Sequence, residues 1–264
     1  MLSIKEFSEF TGLNESTLRY YDQIGLLAPA IRGENRYRYY SPLQTITINF
    51  IKVLTRMGVP LSTIKEMGNN RTPRAVLTLL AQQENKLNRQ LLDLQTGYSI
   101  IHTFRNNIEA GLLASEGEIS VQELDEEHVA LGPPNDFTDS AAFYMPFMKF
   151  CNTARENKIN LYYPVGGYYA SMEAFLGAPS QPVRFFSQDP SGSDRRKAGR
   201  YLVAYNRGYY GEFGDLPHRM LAYAEANSIV FSGPLFIIYL LDEVSTAEYT
   251  HYLSQIVVGV SKKK

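Results

Sequence analysis

Along the first seventy residues the apolar positions come in short helical stripes separated by turn residues. In "SIKEF" and its continuation Ile4, Phe7 and Phe10 fall on one face, and Ser3 with Glu6 three later makes a capping box that starts a helix near residue 4. Gly12 breaks that helix, Asn14 can cap the next, and "ESTLRYYDQIG" predicts a short second helix that stops around Gly25. Two helices about a glycine turn have the spacing of a helix-turn-helix. Next, "LLAPAIRGENRYRYYS" places a Pro and a Gly-containing turn between short extended pieces, which predicts a two-stranded wing with Gly33 at its tip. In "SPLQ", Ser41, Pro42 and Gln44 supply an N-cap, a first helical residue and a second capping box for a helix running to Gly58, and "PLSTIKEM" predicts one more.

The pattern then lengthens. Leu77, Leu80, Glu84, Leu87, Leu91, Leu94, Tyr98, Ile101, Arg105, Ile108 and Leu112 follow in alternating steps of three and four, a heptad seam. Thr72 and Pro73 begin this helix, and Gly111 and Gly117 end it. A core-packed helix within one subunit shows the same stripe, but a helix this long and otherwise polar usually buries its seam against a partner, so a homodimer is expected. Glu84 and Arg105 are the only charges on the seam, nearly equidistant from its midpoint. Antiparallel pairing would bring each near the other's copy.

From about residue 119 the period shortens to that of strands, with helical stretches at 138–157 and 212–227. "ISVQEL", "HVALGPP", "LYYPVGGYYA" and "VRFFSQ" read as strands, and so do "GRYLVAYN", "IVFSGPLFIIYLL" and "YLSQIVVGV". Two units of strand, helix and two strands predict an α+β domain with internal pseudo-symmetry and a cleft between its halves. The whole chain is therefore expected to be α+β, as three parts: residues 1–71, 72–116 and 117–264.

Composition narrows the function. The longest nearly apolar run, residues 229–241, is interrupted by Ser, Gly and Pro and is too short to span a bilayer, and "MLSIKEF" lacks the order of a signal peptide, so a cytoplasmic protein without membrane contact is expected. One cysteine, Cys151, excludes an intramolecular disulfide, a thiolate-rich zinc site and an iron-sulfur cluster held by this chain. No metal-ligand spacing links His102, His128, His218 and His251, and there is neither a nucleophile elbow nor a Walker loop, so no catalytic residue, metal or cofactor is expected. The near-neutral total conceals a segregation: residues 1–75 carry 10 Lys/Arg against 6 Asp/Glu, and the remainder carries 16 against 21. The basic front holds "NRYRYYSP" at 35–42, whose arginine forks and tyrosine hydroxyls suit phosphate, or else line the polar face of an edge strand.

"STLRYYDQIGLL", then "NRYRYYS", then "IKVLTRMGVPLSTIKEM" resemble, in order and spacing, the N-terminal domain of MerR-family transcription regulators over roughly residues 2–68. The resemblance implies a winged helix-turn-helix on double-stranded promoter DNA, a long antiparallel dimerisation helix, and activation of RNA polymerase by distortion of an over-long promoter spacer. Carried over by position, it puts Ser16, Thr17, Arg19 and Tyr20 on the recognition helix and Arg36, Tyr37, Arg38 and Tyr39 on the wing. Tyr21 and Tyr40 are expected to pack inward, since alternate positions must.

The last part, through "GRYLVAYN" followed by a helix and a hairpin ending near "EY", is similar to GyrI-like effector domains of multidrug-responsive regulators. Of 19 tyrosines, 13 lie after residue 119, more hydroxylated rings than a core needs, which suits a planar, aromatic or cationic small organic ligand or else half-exposed strands. Tyr144, Phe147, Tyr163, Tyr168, Phe186, Tyr209, Phe236, Ile238 and Tyr249 are the candidate ligand residues. Cation-favouring relatives carry a glutamate where this chain has Phe236, which implies a less charge-selective pocket. A ligand-hydrolysing GyrI-like enzyme fused to a DNA-binding domain is the alternative to a regulator.

Overall fold

The computed structural model describes residues 1–34, 36–69, 71–137 and 144–262, without the side chain at 144. The chain divides into two compact units, Met1–Asp93 and Leu94–Lys264.

The first unit contains β1 (Leu2–Ser3), α1 (Ile4–Thr11), α2 (Glu15–Gln23), β2 (Ile31–Arg32), β3 (Arg38–Tyr40), α3 (Gln44–Arg56), α4 (Leu61–Asn69) and the beginning of α5 (Pro73–Leu113). The capping box at its start is formed, with Ser3 N donating to Glu6 Oε2 at 2.7 Å and Glu6 N to Ser3 Oγ at 3.3 Å. Gly12 closes α1 at φ 68°, and Asn14 Oδ1 caps α2 by accepting from Thr17 N at 2.8 Å. The wing differs from expectation: β3 pairs with β1 as well as β2, giving a three-stranded sheet in the order β1-β3-β2. A two-residue strand has no periodicity to reveal it in sequence. Phe7, Leu18, Tyr40, Ile48, Ile51 and Leu54 form the core. Tyr40 stacks on Phe7 with ring centroids 4.6 Å and planes 2° apart, and Tyr21 is buried beside them, so these two tyrosines pack. Each buried Phe, Leu or Ile of this core contributes about 1.5–3 kcal/mol by leaving water.

Thr72 caps α5, its Oγ1 accepting from Ala75 N at 3.2 Å. Along the helix Leu77, Leu91, Leu94, Tyr98, Ile101 and Leu112 are all exposed. Gly111 does not terminate α5. It is buried within the last turn, where a Cβ would stand 2.8 Å from Leu241 Cγ, so it answers to a close approach rather than to a cap. The left-handed turn follows at Gly117, φ 71°.

The second unit continues with β4 (Ile119–Leu124), β5 (Glu127–Leu131), α6 (Tyr144–Ala154), β6 (Val165–Tyr169), α7 (Met172–Gly177), β7 (Arg184–Ser187), β8 (Asp194–Arg196), β9 (Gly199–Arg207), α8 (Leu216–Ala226), β10 (Ile229–Leu241) and β11 (Leu253–Lys262). The expected beginning of the first helix, at 138–143, lies outside the described residues. Among the described residues the strands make one antiparallel sheet in the order β4-β9-β11-β10-β6-β7-β5-β8. Its centre is symmetric: β9-β11-β10 on one side answers β5-β7-β6 on the other, each set with one helix between its first two strands in sequence. The repeat seen in sequence is thus a pseudo-dyad between β10 and β6.

Register sets the two faces. Ile237 pairs with Gly167 and Gly167 with Phe185, so Ile237 and Phe185 share a face. Ile237 packs there with Leu216 and Met220 of α8, and Phe185 with Phe150 and Ala154 of α6. Phe236, Ile238 and Phe186 fill the other face together with Ala114, which follows α5. Gly166 permits this packing at the dyad, because a Cβ there would lie 2.4 Å from both Ile237 O and Phe186 Cζ. No helix among the described residues is long and apolar enough to cross a membrane.

Candidate functional site

Each unit carries one candidate site. In the first, Ser16 Oγ and Thr17 Oγ1 donate to the capping Asn14 Oδ1 at 2.8 and 2.6 Å, which orders the N-terminal turn of α2 at the positive end of its dipole. Ser16, Arg19 and Tyr20 are exposed and Thr17 is half-buried, with Arg19 Nη2 2.8 Å from Glu15 Oε2. On the wing, Gly33 N donates to Tyr37 O at 2.9 Å and Arg36 N to Gly33 O at 2.8 Å. This tight turn holds Arg36 at φ 60°, a conformation that L-residues adopt at a cost. Arg36 and Tyr37 are exposed at the turn. Arg38 and Tyr39 are half-buried, and Arg38 Nε donates to Asp22 Oδ2 at 2.7 Å. Exposed guanidinium and hydroxyl groups on a helix end and a neighbouring ribbon can bind phosphate and reach base edges.

In the second unit a cavity of about 470 Å³ opens where α6, β6, β7, β10 and the segment after β9 meet. Its volume suits a drug-sized molecule. Phe147, Met148, Tyr163, Pro164, Val165 and Phe185 line one side and Tyr209, Tyr210, Tyr239 and Tyr252 another, with Phe104 of α5 and with Asp242, Glu243 and Val244 just past β10. The tyrosines brace one another: Tyr210 meets Tyr239 edge-on with centroids 4.5 Å apart and Tyr209 at 5.3 Å, while Tyr209 stacks with Tyr252 at 6.1 Å.

Phe236 packs on the opposite face, so the expectation of a less charge-selective pocket drawn from its apolar ring does not hold; Asp242 and Glu243 give the cavity its electrostatic character. The Tyr210 hydroxyl donates to Glu243 Oε2. Burial first, and then the hydrogen bond to Glu243, push that hydroxyl well above its ordinary value, and burial does the same to Tyr239. Both stay neutral donors. Burial also raises the Asp242 carboxyl, against the hydrogen bond its Oδ1 accepts from Val244 N at 3.0 Å, and the charge of Glu243 adds to the rise. A carboxylate short of solvent, next to aromatic faces, attracts a cation.

Of the nine residues expected at a ligand, Phe147, Tyr163 and Tyr209 line the cavity. Phe186, Phe236 and Ile238 lie instead in the packed cluster on the opposite face, where Phe236 meets Phe186 edge-on at 5.6 Å and Tyr168 at 5.4 Å. Tyr249 is exposed, edge-on to Tyr209 at 6.0 Å. The Tyr144 side chain lies outside the described residues. Sequence reasoning passed over Tyr210, Tyr239, Tyr252 and Asp242 as lining residues, although the pairing of 209 with 210 and an acidic pair directly after an apolar strand were visible. Phe104 had no signal, because it sits on a helix read only for its seam. Among the described residues no group of three or more His, Cys, Asp and Glu could hold a metal ion.

Residues 3–40 match the family described as MerR family regulatory protein. The chain is 26% identical over 262 residues to the multidrug-efflux transporter 2 regulator of Bacillus subtilis, covering 97% of this chain and 95% of that protein. It is 28% identical over 162 residues to the multidrug-efflux transporter 1 regulator of the same organism, covering 58% and 56%. An uncharacterized HTH-type transcriptional regulator of Pseudomonas aeruginosa is 31% identical over 100 residues, 36% of this chain and 76% of that protein. All three relatives are regulators by name, the third a transcriptional one.

Proposed function

The chain belongs to the MerR family of regulatory proteins, and from that premise we propose that it is a cytoplasmic homodimer that couples a small organic ligand to promoter DNA. Residues 1–71 bind DNA, with Ser16, Thr17, Arg19 and Tyr20 reading the groove and Arg36 and Tyr37 holding the backbone. Residues 72–116 pair with a second copy in antiparallel fashion through the exposed seam, and residues 117–264 hold the ligand. Ligand binding then favours one of two dimer states, and that state distorts the promoter so that RNA polymerase engages it.

The observation that carries the ligand half is the cavity of the second unit, walled by rings and lined also by Asp242 and Glu243. Planar aromatic guests fit the rings, and guests with a positive charge gain from the acids. The experiment is a screen of matched neutral and cationic planar dyes by tyrosine fluorescence quenching, practical because the chain has no tryptophan. Binders are then added to the protein on a duplex selected from a random pool. A ligand that binds the second unit and leaves both DNA affinity and transcription unchanged would break the coupling; consumption of the bound dye would point to hydrolysis instead.

A further inference from the structure

Three charged residues of the first unit each stand where their own element disfavours them. Asp22 lies in the last turn of α2, where the helix dipole opposes a negative charge, and its side chain is only 3% exposed. Arg32 on β2 and Arg38 on β3 are direct cross-strand partners, an arrangement that sets two like charges against each other. Together they resolve the conflict. Arg32 Nη2 donates to Asp22 Oδ1 at 2.6 Å and to Oδ2 at 2.7 Å, and Arg38 Nε donates to Oδ2 at 2.7 Å. One buried carboxylate thereby ties both strands of the wing to the end of the preceding helix.

We propose that Asp22 is a specificity-determining positioning residue: by clamping Arg32 and Arg38 it sets the wing at one distance from α2 and withholds one of two arginine charges from indiscriminate phosphate binding. A helix that reads bases and a ribbon that grips the backbone report on sequence only while their separation is constant. A free ribbon with an extra positive charge would grip any duplex. The proposal rests on the DNA-binding reading of this unit.

The test measures affinity for a duplex that the intact protein has selected from a random pool and for a scrambled duplex, over a range of salt, with circular dichroism as the folding control. Asp22→Asn keeps the shape and an acceptor but removes the charge. It should lower the ratio of selected to scrambled affinity by about tenfold or more and steepen the salt dependence by about one phosphate equivalent, a slope change near 0.9. Asp22→Asn with Arg32→Gln returns the local charge to that of the parent; it should restore the slope and leave the ratio low. A residue that served stability alone would weaken both duplexes alike and leave the ratio at the parent's value, which overturns the proposal. So would loss of folding in both variants, which would assign Asp22 to the stability of the unit. An intact protein that selects no sequence overturns the DNA-binding reading, and this proposal with it.

Discussion

Removing the acids of the cavity should separate cationic from neutral guests. The perturbation is Asp242→Asn combined with Glu243→Gln, which preserves shape and leaves an acceptor for the Tyr210 hydroxyl. A cation about 5 Å from half-buried Asp242 gains roughly 3 kcal/mol at an effective dielectric near 20, and the exposed Glu243 adds about 1 kcal/mol or less. Desolvation of the guest and the acid offsets part of this, leaving about 1.5–3 kcal/mol, or roughly tenfold to a hundredfold in Kd. Fluorescence quenching with one planar dye in neutral and permanently cationic forms should show that preference in the parent and its loss in the variant, with the neutral dye changed by less than about threefold. The pH dependence follows from the raised Asp242 carboxyl. A cation binds best while Asp242 is ionised, so its affinity should fall as pH drops from neutral toward the ordinary carboxylate range near 4, and the neutral dye's should not. In the empty protein the sign is opposite: a raised carboxyl stabilises the fold when protonated, and that contribution is lost as pH rises, so Asp242→Asn should raise Tm at neutral pH. Equal affinities for the two dyes in the parent, or equal losses in the variant, would refute the reasoning. Phe236→Glu will not create cation preference, because Phe236 is 3% exposed within the packed face and a carboxylate there would cost several kcal/mol of stability.

Arg36→Ala or Tyr37→Phe should weaken binding about equally on selected and unrelated duplexes, the arginine change lowering the salt slope by roughly one, whereas changes at Ser16 or Thr17 should alter sequence preference in a selection experiment; the reverse pattern would exchange the roles of helix and wing. Reversing Glu84 and Arg105 together should restore most of the dimer stability lost by either single reversal in analytical ultracentrifugation, and a double variant no better than the singles would exclude their pairing across the dyad. Gly111→Ala should lower thermal stability by about 1–2 kcal/mol although alanine is the better helix former, because its Cβ would stand 2.8 Å from Leu241 Cγ; a higher Tm would show that the contact yields.

What the sequence determined by itself was local, although not every local reading survived: α3 begins at Gln44 without a side-chain cap rather than at Pro42, and Gly111 lies inside α5. The capping box of Ser3 and Glu6, the turn at Gly12, the Asn14 and Thr72 caps and the long seam of α5 depend on neighbours within a turn or two, so residue identity and spacing suffice. The two strand-helix-strand-strand units were legible for the same reason, as changes of period along the chain. The tertiary structure decided what depends on register and on which face a strand presents. Phe236 and Tyr239 lie on one continuous apolar strand, and only the pairing of Ile237 with Gly167 and of Gly167 with Phe185 turns Tyr239 toward the cavity and Phe236 away from it. A strand buried on both faces carries no alternation from which to tell the sides apart. The same holds for charge: Asp22, Arg32 and Arg38 are ordinary surface residues in sequence, 10 and 16 positions apart, and their meeting under one buried carboxylate exists only once the wing has folded back on α2.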